Sequence, residues 1–189
     1  LQKAKKNKPS NLKVRTIFYL SKMKQLALFL SAALFLTMGC NTSSKTSSYT
    51  LSDVVFESAG PYFEGANTFT LSHTIDPSLL ADSAGFSKER IASVRLRSAV
   101  ISPAPGQSLD LFRSFSLALM GNASESLTAA VLNPLPANTG QAKLGVSAES
   151  DLKAFFSEGT FYLVLDADLK ADHEETLTLL GNLVFEITY

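Results

Sequence analysis

Residues 177–189, LTLLGNLVFEITY, alternate. Leu177, Leu179, Leu183, Phe185, Ile187 and Tyr189 fall on one parity, with Gly181 in the same register. Thr176, Thr178, Asn182, Glu186 and Thr188 fall on the other. Successive side chains of a strand point to opposite faces, so this period of two predicts a half-buried antiparallel strand. Gly181 marks a bulge or bend in its middle.

The same period recurs upstream. Phe161, Leu163, Leu165 and Ala167 alternate with Tyr162, Val164, Asp166 and Asp168. Leu109, Leu111, Phe115, Leu117 and Leu119 give a third long strand, with Arg113 as the misfit in its register. Shorter strands are expected over 51–57, 66–72, 93–102, 127–132 and 142–147. Helix signals are short: Ser87 to Ile91 with Ser87 as cap, Ser150 to Phe156 stopped by Gly159, and a turn at Pro77 to Ala81. About eight strands joined by turns and short helices predict an all-β antiparallel β-sandwich over 51–189. A closed barrel fits the same pattern.

The amino-terminal part has a different character. Residues 1–22 hold Lys3, Lys5, Lys6, Lys8, Lys13, Arg15 and Lys22 without an acid, and they read as an upstream over-extension. Residues 23–40, MKQLALFLSAALFLTMGC, run from a methionine through an apolar stretch, Leu26 to Met38, to the chain's single cysteine. That stretch has the length of a signal-peptide core and is short for a membrane-spanning helix. Lys22 and Lys24 supply its positive flank. Gly39 is the small residue that lets a signal peptidase approach the backbone before Cys40.

This segment resembles a bacterial lipoprotein signal with a lipobox ending at Cys40. The resemblance covers 23–40 only. It implies removal of the signal peptide 23–39, a diacylglyceryl thioether on Cys40, and a further acyl chain such as palmitate on the new amino group. Two or three chains, at about 0.8 kcal/mol per buried CH₂, make a stable anchor, so the implied partner is a lipid bilayer. Asn41 follows the cysteine in place of the aspartate associated with inner-membrane retention in enteric bacteria. The expected location is therefore the outer membrane of a Gram-negative cell, facing the periplasm. Residues 40–50 then comprise the lipidated cysteine and a polar tether, NTSSKTSSYT.

All 17 acids lie after Cys40, but only nine of the 17 bases do: Lys45, Lys88, Arg90, Arg95, Arg97, Arg113, Lys143, Lys153 and Lys170. The whole-chain charge of zero thus hides a mature part at 9 − 17 = −8. A basic stripe able to displace counterions from phosphates is missing, which argues against a nucleic-acid partner. The 189 − 39 = 150 residues from Cys40 onward suffice for one domain with a real core.

Catalytic motifs are missing. Cys40 is consumed by the anchor, no GxSxG elbow is present, and the two histidines, His73 and His173, stand apart in sequence. The expectation is a non-enzymatic binding or structural domain without cofactor. Three polar groups are candidate sites. Asp166, Asp168, Asp172 and Glu174 could gather the oxygens that calcium wants, although Lys170 interrupts them; a solvated turn between two apolar strands is the simpler reading. Zinc through His173 lacks a ligand set. Arg95 and Arg97 fit a solvent face paired across to acids on a neighbouring strand better than an anion site.

Tyr62 and Phe63, after Gly60-Pro61, are the loop-borne aromatics that could meet a glycan, or else cover the end of the sandwich. A glycan- or calcium-dependent adhesion module is the alternative function, and a hydrolase whose site assembles only in space is a third. Asn41-Thr-Ser and Asn122-Ala-Ser fit the N-glycosylation pattern, and Asp82-Ser83-Ala84 resembles the O-glycosylation motif of the Bacteroidetes.

Overall fold

The computed structural model describes residues 44–76, 87–122 and 125–189. Cys40, the signal segment, Asn41-Thr-Ser, the Pro77–Ala81 turn and the Asp82-Ser83-Ala84 motif lie outside these residues, as do Ala123 and Ser124 of the second N-glycosylation pattern.

The carboxy-terminal alternation becomes strand β9, Leu177–Thr188, in which buried and half-buried residues alternate without a break. It lies between β1, Thr46–Ser58, and β3, Ser93–Pro103, antiparallel to both. Phe185 faces Tyr49 on one side and Leu96 on the other. Gly181 keeps its register, so the expected irregularity is not on β9. The bulge lies on β1, where Ser52 and Asp53 interrupt the pairing between Leu51 and Val54. Gly181 has a packing reason instead: a Cβ there would lie 2.9 Å from the Phe56 ring.

The second alternating run becomes β8, Thr160–Leu169, at the heart of the other sheet. Phe161, Leu163, Leu165, Ala167 and Leu169 are all buried on its inner face. β8 pairs with β2, Gly65–Thr74, and β4, Phe112–Gly121; β5, Leu127–Leu132, continues the sheet beyond β4. The sheet orders are β1-β9-β3-β6 and β2-β8-β4-β5-β7. The chain crosses between sheets at most of its early loops, the strand order of a jelly roll. The sandwich expectation holds, with nine strands among the described residues.

The two lateral sides of the sandwich differ. The segment expected as one strand over 142–147 is divided: β6, Ala142–Lys143, adds to β3, and β7, Gly145–Val146, adds to β5. Between them the buried Leu144 donates its N–H to the Ala99 carbonyl at 2.9 Å. This side is bridged by a single chain passing from sheet to sheet. On the opposite side β1 and β2 are both edge strands.

Three boundaries depart from expectation. β1 begins at Thr46, five residues inside the stretch expected to be tether, and buries Tyr49 completely. Small polar residues there face outward while Ser47, Tyr49 and Leu51 face the core. Leu109 to Leu111 form a 3₁₀ turn with the Ser108 hydroxyl accepting the Asp110 N–H at 3.1 Å, so the third long strand starts at Phe112. Arg113 is then the extra residue of a bulge, since Phe112 faces Leu169 and Ser114 faces Asp168. The bulge restores inward parity for Phe115 and sends Arg113 to solvent. Ser87 precedes a single 3₁₀ turn, Lys88–Arg90, and makes no side-chain cap; its hydroxyl donates to Glu89 instead.

Helix α1, Lys153–Glu158, ends as expected on Gly159, whose φ of 83° is the left-handed cap conformation. It packs Phe155 and Phe156 into the core. Ser44–Tyr189 is one compact unit, and the buried apolar residues within it form one cluster. No helix among the described residues is long and apolar enough to cross a membrane.

Candidate functional site

The open side between the edge strands holds a cavity of about 440 Å³ lined by Thr50, Leu51, Ser52 and Val54 from β1 and by Leu71 and His73 from β2. Its β1 wall is the bulged segment. Asp53 there has φ of 52°, a conformation that L-residues other than Asn and Asp seldom adopt. The Asp53 N–H, turned out of the ladder, is held by Asn182 Oδ1 at 3.2 Å.

One end of the cavity is polar. Tyr49 Oη and His73 Nε2 lie 2.9 Å apart and link the two sheets across the open side. The same hydroxyl accepts the Asp76 N–H at 3.0 Å. Either group can be the donor in the Tyr49–His73 bond, since the hydroxyl keeps a second lone pair, and the imidazole tautomer sets the direction. Burial lowers the pKa of His73 below its ordinary 6.5 and, as the main cause, raises that of Tyr49. The imidazole is neutral at physiological pH.

The residues singled out from the sequence are placed elsewhere. The pair Tyr62–Phe63 is divided. Tyr62 is buried, its ring stacked between Phe69 and His173, its backbone bridged to His173 by bonds of 2.7 and 3.0 Å. Its hydroxyl donates to the Ser58 carbonyl and accepts the Leu177 N–H at 3.3 Å. Tyr62 closes the end of the sandwich, while Phe63 alone is exposed.

The acidic candidates do not converge. Asp166 accepts from the Thr68 hydroxyl at 2.5 Å, and Asp172 accepts the Glu64 N–H at 2.8 Å. Asp168 takes Arg113 at 3.3 Å. The Glu174 backbone carbonyl packs against Gly60. Among the described residues no group of three His, Cys, Asp or Glu is placed to hold a metal ion. Arg113 anchors this end, also binding Glu64 and the carbonyls of Leu169 and Lys170; Glu64 first, then Asp168, raises its pKa. Arg97 pairs with Glu186, which also faces Arg95 in register, as expected for a solvent face.

No family model matches the chain, and no curated protein matches it. Among solved structures, that of Cocksfoot mottle virus is similar to it at 11% identity, over 72% of this chain and 83% of that one, with a TM-score of 0.26.

Tyr49 stands in a run of serine and threonine that reads as tether. A signal was present: Ser47, Tyr49 and Leu51 continue the inward parity upstream of 51. His73 likewise follows Phe69 and Leu71 at a spacing of two. Nothing in the sequence brings the two residues together.

Proposed function

We propose that this chain is a lipoprotein anchored through acylated Cys40 at the periplasmic face of the outer membrane, carrying a non-catalytic binding β-sandwich. The observation that carries the reading is Gly39-Cys40 closing the apolar run Leu26–Met38 behind the Lys22 and Lys24 flank. The early start of β1 supports it. Only Asn41 to Lys45 separate the cysteine from Thr46 in sequence, so the domain would follow its anchor after a short connection.

The binding role rests on where the polar side chains are spent. Tyr62, Asp166, Asp168 and Asp172 each have a structural partner. His73 is bonded to a buried tyrosine, and among the described residues neither histidine bonds a serine side chain.

Mass spectrometry of the membrane fraction tests the anchor. An amino-terminal, acylated Cys40 is expected, and Cys40→Ala should move the protein out of that fraction. A free thiol at Cys40 in the mature protein, or persistence of Met23, would overturn the reading.

A further inference from the structure

We propose that the open side of the sandwich binds a neutral acyl ligand, a hydrocarbon chain ending in an ester or amide carbonyl. The proposal deepens the binding half of the reading above and does not depend on the anchor. Three independent features meet at this one place.

The first is size and lining. A cavity of about 440 Å³ lies within the roughly 300–1,000 Å³ of small-molecule sites. Its walls are Leu51, Val54 and Leu71, aliphatic throughout, with the Thr50 and Ser52 residues beside them. The His73 imidazole is the one aromatic ring among its lining residues, a narrow platform for stacking a sugar or base beside three aliphatic walls. A hydrocarbon chain matches such walls.

The second is the backbone. The groove lies against the bulge in β1, where the register slips between Leu51 and Val54 and Asp53 takes a left-handed conformation. Bulges bend the strand that carries them and recur beside binding sites. Here the bend comes on an edge strand, on the side of the sandwich that no β6–β7 segment bridges.

The third is the polar end. Nε2 of His73 is engaged with Tyr49, Nδ1 bonds to no group among the described residues, and the proposal assigns the ring hydrogen to Nδ1. It is a single neutral donor beside an apolar wall, suited to one carbonyl oxygen. No lining side chain is cationic. Asp53 stands in the same bulge, and the chain after Cys40 carries 9 − 17 = −8, so a carboxylate would meet repulsion. An uncharged ester or amide would not.

Residues 44–189 hold every described strand and the core, and this compact unit, labelled at its leucine and valine methyls, suits a nuclear magnetic resonance titration. Methyl pentanoate, methyl heptanoate and sodium heptanoate are the probes. Methyl heptanoate should give intermolecular Overhauser contacts to the methyls of Leu51, Val54 and Leu71 and shift the His73 Nδ1 resonance. Its affinity should exceed that of methyl pentanoate by about fourfold per methylene, and sodium heptanoate should bind more weakly.

His73→Phe should weaken the ester about threefold to tenfold, the share of one hydrogen bond. Methyl contacts absent at the solubility limit, or located elsewhere, would overturn the site. Equal or tighter binding of heptanoate would overturn the neutral ligand class. An unmoved His73 resonance with bound ester would overturn the role of the ring, independently of how the variant folds.

Discussion

Tyr49 of β1 and His73 of β2 are joined at 2.9 Å across the side of the sandwich where the two sheets share no strand. Burial at this place favours the neutral imidazole. The tyrosine oxygen also accepts the Asp76 N–H, so the pair ties together β1, β2 and Asp76 beyond the end of β2.

This gives a pH dependence with a definite sign. Burial lowers the folded-state pKa of His73 below its unfolded value of 6.5. Between the two values the unfolded chain holds a proton that the folded chain lacks, so stability rises with pH across that window. The contribution is complete above 6.5 and is lost as the solution is acidified. Denaturant midpoints at pH 7.5 and pH 5 should differ more for the wild type than for His73→Phe, which keeps a ring there and cannot titrate. Equal differences would remove His73 from the account.

Gly181 makes the second prediction. A Cβ at that position meets the ring of Phe56, itself buried and without room to retreat. Gly181→Ala should cost about 1–3 kcal/mol, the range for overpacking a core. Gly140→Ala, with nothing within 4 Å of the new atom, should stay within about 0.5 kcal/mol. Urea titrations of the two variants compare them directly.

Phe185 and Glu186 test the register of β9. Phe185 is fully buried between Tyr49 and Leu96, and Phe185→Ala should cost about 3–5 kcal/mol. Glu186 is half-buried and pairs with an exposed Arg97, so Glu186→Ala should cost at most about 1 kcal/mol. A larger loss at Glu186 would mean a strand turned by one residue.

The two loop aromatics should behave oppositely. Tyr62→Phe keeps the stacked ring but strands the Ser58 carbonyl and the Leu177 N–H, at a cost of about 1–2 kcal/mol. Phe63→Ala, at an exposed position, should change the unfolding midpoint hardly at all.

Strand positions and inward faces were legible in the residue order because parity is a local property. Leu163, Leu165, Phe185 and Ile187 declare their face through their immediate neighbours, whatever strand lies beside them. Arg113, which broke the pattern, was legible only as a misfit. Arg113 became intelligible once β8 was alongside, because a bulge is a relation between two strands and has no signature in one of them.

The start of β1 was hidden for a related reason. Thr46, Ser48 and Thr50 are as suitable for a solvated linker as for the outer face of a strand. Pairing with Thr188, Glu186 and Val184 made them strand. The groove lay furthest from view. Tyr49 and His73 stand 24 positions apart, and their meeting depends on which strands form the edges of the two sheets. Edge position follows from how the strands pack together, a property of the assembled chain that no local stretch of it contains.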